Sequence, residues 1–243
     1  MKRTVFLMLL LALAMTTLGQ QRKVQYRPYI DLRPLHFGIQ VGFNLQDIEL
    51  RNVGPQTIGE LGERTVLVDC DTWNPGFSVG VLADLRLHQH FSLRVAPLMH
   101  FGSKRLTFSD LDDLNEAGLP TVSTQDLKTT YITLPVTLKF AAERFNNHRP
   151  YMFGGVSPMI NLAGKDQDFI QLKRFDTMLE LGMGCDFYLP FFKFCPELKF
   201  CFSLVDVLNR SHADELDDVN KRAFALSAGR AVSKMVVLTF NFE

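Results

Sequence analysis

Apolar and polar residues alternate with a period of two through most of this chain. The clearest stretch predicts a strand over 35–46, with Leu35, Phe37, Ile39, Val41, Phe43 and Leu45 on one face and His36, Gly38, Gln40, Gly42 and Asn44 on the other. A second strand, over 77–87, sets Phe77, Val79, Val81, Ala83, Leu85 and Leu87 against Ser78, Gly80, Asp84 and Arg86. A brief turn at His88, Gln89 and His90 leads to a third over 91–101. Further strands are predicted over 131–140, 151–161, 175–189 and 192–204. The eighth, over 234–242, places Val236, Leu238, Phe240 and Phe242 opposite Val237, Thr239 and Asn241. The stretch 223–229 fits either an extension of that strand or a short separate element.

The connections are unequal. Those after the second, fourth and sixth strands are short, roughly two to ten residues, whereas the others run from about a dozen to about thirty. The pattern predicts an all-β fold, an eight-stranded antiparallel transmembrane β-barrel with short periplasmic turns and long extracellular loops. An even strand number puts both ends of the barrel on the periplasmic side.

A soluble barrel of lipocalin type would alternate in the same way with its apolar face inward. Three patterns favour the membrane. Phe37, Phe91, Phe140, Tyr151, Phe187, Phe192 and Phe242 gather at strand ends, as a girdle at the periplasmic interface would. The last strand closes on an aromatic of the apolar face. The charges provide the third pattern: the polar faces carry Asp84, Arg86, Arg94, Lys139, Asp176, Glu180, Asp186, Lys193, Glu197 and Lys199, and the apolar faces carry none between their ends. A Lys or Arg facing lipid at mid-bilayer costs ~2–4 kcal/mol, so this exclusion is what a lipid-facing surface requires. The five cations and five carboxylates are expected to neutralise one another in the lumen. Pro97, Pro135, Pro158 and Pro196 fall inside predicted strands and imply bulges or breaks there.

Charge and composition narrow the setting. Basic and acidic residues number 26 each. The first 19 residues read as a cleavable export signal, with Lys2 and Arg3 before an apolar stretch over 5–14 and a small-residue site at Thr17, Leu18 and Gly19. Loss of Lys2 and Arg3 leaves a net charge of −2, so no basic face offers itself to nucleic acid. Beyond the signal, no stretch approaches the roughly 18 uninterrupted apolar residues of a helical span. The expected organisation is a signal peptide over 1–19, a basic periplasmic lead-in over 20–34 and the barrel over 35–243, in the outer membrane of a diderm bacterium.

Four cysteines make no scaffold. Cys195 and Cys201 share one strand about 20 Å apart, Cys185 faces the opposite way, and Cys70 sits in a loop, so free thiols are expected. No Cys or His spacing suggests a metal, and no cofactor is expected.

The runs Tyr131-Ile-Thr-Leu-Pro-Val-Thr-Leu-Lys-Phe140 and Arg149-Pro-Tyr-Met-Phe-Gly-Gly155 carry a family resemblance. An aromatic, an aliphatic-Pro step and a Lys-aromatic ending, followed by Pro-Tyr and a Gly-rich strand, resemble the outer-membrane β-barrel family common in Bacteroidetes. The segment Phe37-Gly-Ile-Gln-Val-Gly-Phe-Asn44 resembles that family's first strand. Length, the basic lead-in over 22–33 and the loop pattern are most similar to its PorT-like members. That resemblance implies a part in assembling or supporting the type IX secretion system, which exports proteases, adhesins and gliding components. It transfers no catalytic residue.

The remaining candidates are weak. His100, Ser78 and Asp84 share the inner face but are expected to belong to the lumen network; His88 and His90 are expected to be solvated, and His212 precedes an acidic loop. The acidic stretches 109–116 and 214–218 lack calcium-loop spacing and read as solvated, helix-prone loops. Lys104, Arg105, Lys128, Lys173, Arg174, Arg222 and Lys234 fall near external strand ends, where cations would meet lipopolysaccharide phosphates. The expected partners are outer-membrane lipid, lipopolysaccharide and other secretion-system proteins. A non-enzymatic structural role is favoured over a small porin-like channel, because ten charges and Tyr188 would fill the lumen.

Overall fold

The computed structural model describes residues 24–57, 62–70, 72–116, 118–163, 169–216 and 218–243. The predicted signal over 1–19, and 20–23 of the lead-in, lie outside the described residues. Eight walls form a closed ring. They are β1 (Leu35–Asn52), β5 (Asn74–Arg86), β6 with β7 (Phe91–Val95, Leu98–Leu114), β8 with β9 (Pro120–Thr133, Val136–Ala141), β10 (His148–Asn161), β11 (Phe175–Tyr188), β12 (Lys193–Ser203) and β13 (Ala228–Phe242). Each wall pairs antiparallel with the next, and β13 returns to β1 from Ile39↔Phe242 to Asn52↔Ala228. Closure pairs each of the eight walls on both sides, the condition for strands in hydrocarbon. Three small strands decorate the first long connection: β2 (Gln56–Thr57) pairs β3 (Glu63–Arg64), and β4 (Val66–Asp69) extends the sheet beside β7.

Pro97 and Pro135 interrupt two neighbouring walls, whereas Pro158 and Pro196 stand inside unbroken β10 and β12. The breaks are stitched across: Val81 donates to the Pro97 carbonyl at 3.1 Å, Ala96 to that of Pro135 at 3.2 Å, and Leu134 to that of Pro158 at 3.0 Å. Phase survives both interruptions, for Arg94 and Leu98 face inward on either side of one, and Thr133 and Thr137 on either side of the other.

The polarity of the two faces inverts along a single strand. In the lower part of β1, Gln40, Asn44 and Gln46 are buried while Ile39, Val41, Phe43 and Leu45 are exposed; above them Ile48 is buried and Glu49 and Arg51 are exposed. The same change runs up β7, from inward His100 and Lys104 to inward Leu106 and Phe108. Below, the outer face meets acyl chains; above, the strands project beyond the bilayer into water, and their inner face becomes an ordinary apolar core.

Several expectations are corrected here. The thirty-residue connection after the third wall is a paired β7–β8 hairpin, so 109–114 of the acidic stretch is strand rather than helix. The region before β13 contains a 3-10 turn at Arg210–Glu215 and a helix, α1 (Val219–Leu226), whose N-cap Asp218 accepts from the Asn220 N–H. The predicted girdle includes one intruder: Phe37, Phe91, Phe140 and Phe192 face outward, but Tyr151 is buried in the lumen.

Candidate functional site: a filled lumen with a periplasmic latch

The lower lumen is a layer of paired charges. Arg94, from β6, places Nη2 2.8 Å from Asp84 of β5, contacts Glu197 of β12 through Nη1, and lies 3.3 Å from Glu243. Lys139, from β9, sits 3.1 Å from both oxygens of Asp186 and 4.0 Å from Asp84. Lys193 bridges Asp186 at 3.8 Å and Glu243, and Lys199 reaches Glu197 at 3.5 Å. Four cations thus meet four carboxylates, all almost wholly buried. Removing a single ion from water costs several kcal/mol even after relaxation, so only such matching makes the layer tolerable. Tyr151 packs into the layer, its hydroxyl donating to Glu197 at 2.7 Å and its ring facing the Lys139 ammonium at 3.7 Å. Gly184 permits this, since a Cβ there would lie 2.6 Å from the Tyr151 hydroxyl.

A neutral hydrogen-bonded layer lies above. Thr129 donates to Gln46 at 2.6 Å, Gln46 to Asn44 at 3.0 Å and Asn44 to Ser78 at 2.8 Å. The Ser78 hydroxyl meets His100 Nδ1 at 2.7 Å, and His100 Nε2 lies 3.3 Å from Thr133. Ser78 and His100 are therefore partners, but Asp84 is engaged by Arg94 and does not complete a catalytic set. Asp176 and Glu180 are buried at higher levels than the charged cluster; Asp176 accepts from Ser203 at 2.6 Å.

The top of the lumen is apolar. Ile48, Leu106, Phe108, Leu127 and Ala231 from the walls pack with Ile170, Val207, Leu208 and Phe224 from the loops and α1. Phe108, Phe169 and Phe224 form a ring triad with centroids 4.9–5.5 Å apart. Asp206 ties the cap down, accepting from Leu208 at 3.1 Å, Ala231 at 3.0 Å and Arg210 at 3.0 Å. Partial burial would raise its carboxyl, but these donors prevail and hold it below the ordinary carboxylate value.

The described part of the lead-in lies across the periplasmic mouth. A 3-10 turn at Ile30–Leu32 presents Asp31 to the Tyr188 hydroxyl at 2.6 Å, to Arg149 at 3.6 Å and to Arg144 at 3.8 Å. The Arg144 guanidinium also stacks 3.6 Å over Tyr188 and donates to the Tyr26 carbonyl at 2.5 Å. Asn147 bonds the segment twice, accepting from Tyr26 N–H and donating to the Val24 carbonyl, both at 3.0 Å.

Of the ten predicted lumen charges, Asp84, Arg94, Lys139, Asp186, Lys193, Glu197 and Lys199 form the cluster, and Arg86 stands half-buried at the mouth. Sequence reasoning missed Glu243, whose inward phase after Asn241 was available as a signal, and the latch residues Asp31 and Arg144, which no periodicity marks. Lys104 corrects the external basic set: it points into the lumen, 1% exposed, and donates to Ser233 at 2.8 Å. Arg105, Lys128, Lys173, Arg174 and Arg222 are exposed and Lys234 half-exposed. Arg105 pairs with Asp126 at 2.8 Å, Lys173 donates to the Asp206 carbonyl, and Lys234 meets Glu49. His90 is half-buried with Nδ1 2.9 Å from the Ala141 carbonyl, rather than solvated, and His212 is buried. All four cysteines are free. Among the described residues no cluster of potential metal ligands occurs.

A family model described as an outer membrane protein beta-barrel domain matches residues 19–209. No curated protein matches the chain in sequence. Among solved structures it is similar to the outer membrane protein OprG from Pseudomonas aeruginosa, at 13% identity and a TM-score of 0.47, covering 85% of this chain and 93% of that one. Neisserial surface protein A is similar at 11% and 0.41, covering 86% and 98%. The attachment invasion locus protein Ail of Yersinia pestis, solved with the heparin analogue sucrose octasulfate, is similar at 11% and 0.36, covering 85% and 96%.

Proposed function

We propose that this chain, which belongs to the outer membrane protein beta-barrel domain family, is a non-enzymatic structural or assembly component of the type IX secretion system. It is an outer-membrane protein of a Gram-negative bacterium. The resemblance of the length, the basic lead-in over 22–33 and the loop pattern to PorT-like proteins supports this reading. The observation that carries a structural role is the filling of the lumen at three levels, by paired charges, by a neutral hydrogen-bonded layer and by an apolar cap. A barrel filled in this way acts through its surfaces: the β7–β8 hairpin and external loops on one side, the latched lead-in on the other. Larger translocon subunits would dock on them. The outward Arg105, Lys128, Lys173, Arg174 and Arg222, with Lys234, would meet lipopolysaccharide phosphates around the external belt.

The small-channel alternative needs an open lumen and gains no support from this filling. Deleting the gene tests the proposal. Surface delivery of secreted cargo should cease while other outer-membrane proteins assemble normally; intact cargo delivery in the deletion strain would refute it.

A further inference from the structure

The outer wall carries a trench. Register aligns four modest side chains in a row across the strands: Ala142 donates its N–H to the Pro150 carbonyl at 3.0 Å, Pro150 is opposite Cys185, and Cys185 stands beside Pro196. The β11–β12 ladder lapses there, between Gly184↔Glu197 and Phe187↔Phe194. Above runs a ridge in which Phe140, Met152, Met183, Leu198 and Leu238 are successive cross-strand partners. Below runs an aromatic ridge, His148, Phe187, Phe194 and Phe242, whose successive rings lie 5.1, 6.5 and 5.4 Å apart. The hollow between them measures about 670 Å³, and Tyr151 and Glu197 of the charged layer form part of its floor.

We propose that this trench is a binding site for one acyl chain of a periplasmic-leaflet phospholipid. The face is the one turned to the bilayer, and its outward side chains are apolar, so the occupant is hydrocarbon rather than a peptide that would need polar partners. The aromatic ridge adjoins the short turns, which puts the trench in the periplasmic half, where the lipid is phospholipid. Strand tilt of about 35–45° turns a row across strands into a diagonal of the bilayer, along which a chain enters from the headgroups. Two prolines fix the floor, so little ordering is needed on binding. The bound chain covers the stretch of wall outside Glu197, the partner of Arg94.

Native mass spectrometry of the full barrel, released into detergent from nanodiscs of phosphatidylethanolamine and phosphatidylglycerol, tests this. The wild-type protein should retain one phospholipid. Cys185→Phe and Ala142→Phe, which fill the trench, should each lower the retained fraction about tenfold. Val79→Phe on the exposed face of β5 should not. Heat-dependent gel mobility shows whether each variant is folded. For the unaltered protein, a phospholipid with a photoreactive acyl chain should label peptides containing Met152, Met183 and Cys185 in preference to the β1 and β5 walls. Equal retention in wild type and both filled variants, uniform labelling around the barrel, or retention of lipid A in place of phospholipid when both are offered would overturn the proposal.

Discussion

At the periplasmic end of the lumen, eight ionised side chains are enclosed and each has an opposite charge within reach; at the external end, Phe108, Phe169 and Phe224 centre an apolar plug that hydrogen bonds only tie down at its margin. Both ends are filled, but they fail differently. A charged layer is intolerant of change in any one member, because the partner left behind is an uncompensated ion. An apolar cap loses contact area in proportion to what is removed, and its loops can settle into part of the space.

The largest effect should follow from Arg94→Met, which takes the nearest cation from both Asp84 and Glu197 and leaves them only Lys139 at 4.0 Å and Lys199 at 3.5 Å. Destabilisation of about 3–5 kcal/mol is expected, read from urea unfolding in lipid vesicles. Adding Glu197→Leu to that variant should recover part of the loss, and failure to recover any would remove the distinction between the two ends. Leu106→Ala, in the cap, should cost about 2–3 kcal/mol in the same assay.

The latch sharpens the comparison, since it lies outside both fillings. Asp31→Ala takes the shared acceptor from Tyr188, Arg144 and Arg149. Barrel stability should shift by less than about 1 kcal/mol. Chymotrypsin cleavage after Tyr26 and Tyr29 should nevertheless accelerate; unchanged cleavage would show that the latch does not depend on Asp31.

The smallest effect concerns Asp206 at the base of the cap. Its carboxyl is held below the ordinary value, so its stabilising contribution is present above the unfolded pKa of about 3.9 and is lost as pH falls through the lower folded value. The protection of amides around 204–210 against hydrogen exchange, taken relative to the intrinsic rate at each pH, should therefore fall on acidification in the wild type. Asp206→Asn should abolish that pH dependence, and an unaltered profile in the variant would assign it to another group.

Much of this arrangement was legible in the alternation. Arg94 and Lys139 face inward as their phase requires, even though Pro97 and Pro135 interrupt their walls, because the neighbouring carbonyls of those prolines keep the ladders stitched. Above the bilayer, legibility ended. Periodicity identifies two faces but not which medium each one meets, and that medium changes from hydrocarbon to water partway up β1 and β7. Lys104, assigned to the outside as an external cation, is therefore inside, in phase with His100 below it and Leu106 above. Tyr151 was grouped with the rim aromatics because an aromatic near a strand end suits an interface, yet its phase with Phe153 and Ser157 puts it in the lumen. The latch left no trace in any pattern, because Asp31 acts through contacts with residues more than a hundred positions away.

Single-channel recording on the purified protein in planar bilayers tests the central claim of a filled barrel most directly. The account predicts no sustained conductance in the wild type. Steady, size-selective conductance from correctly folded wild-type protein would contradict it.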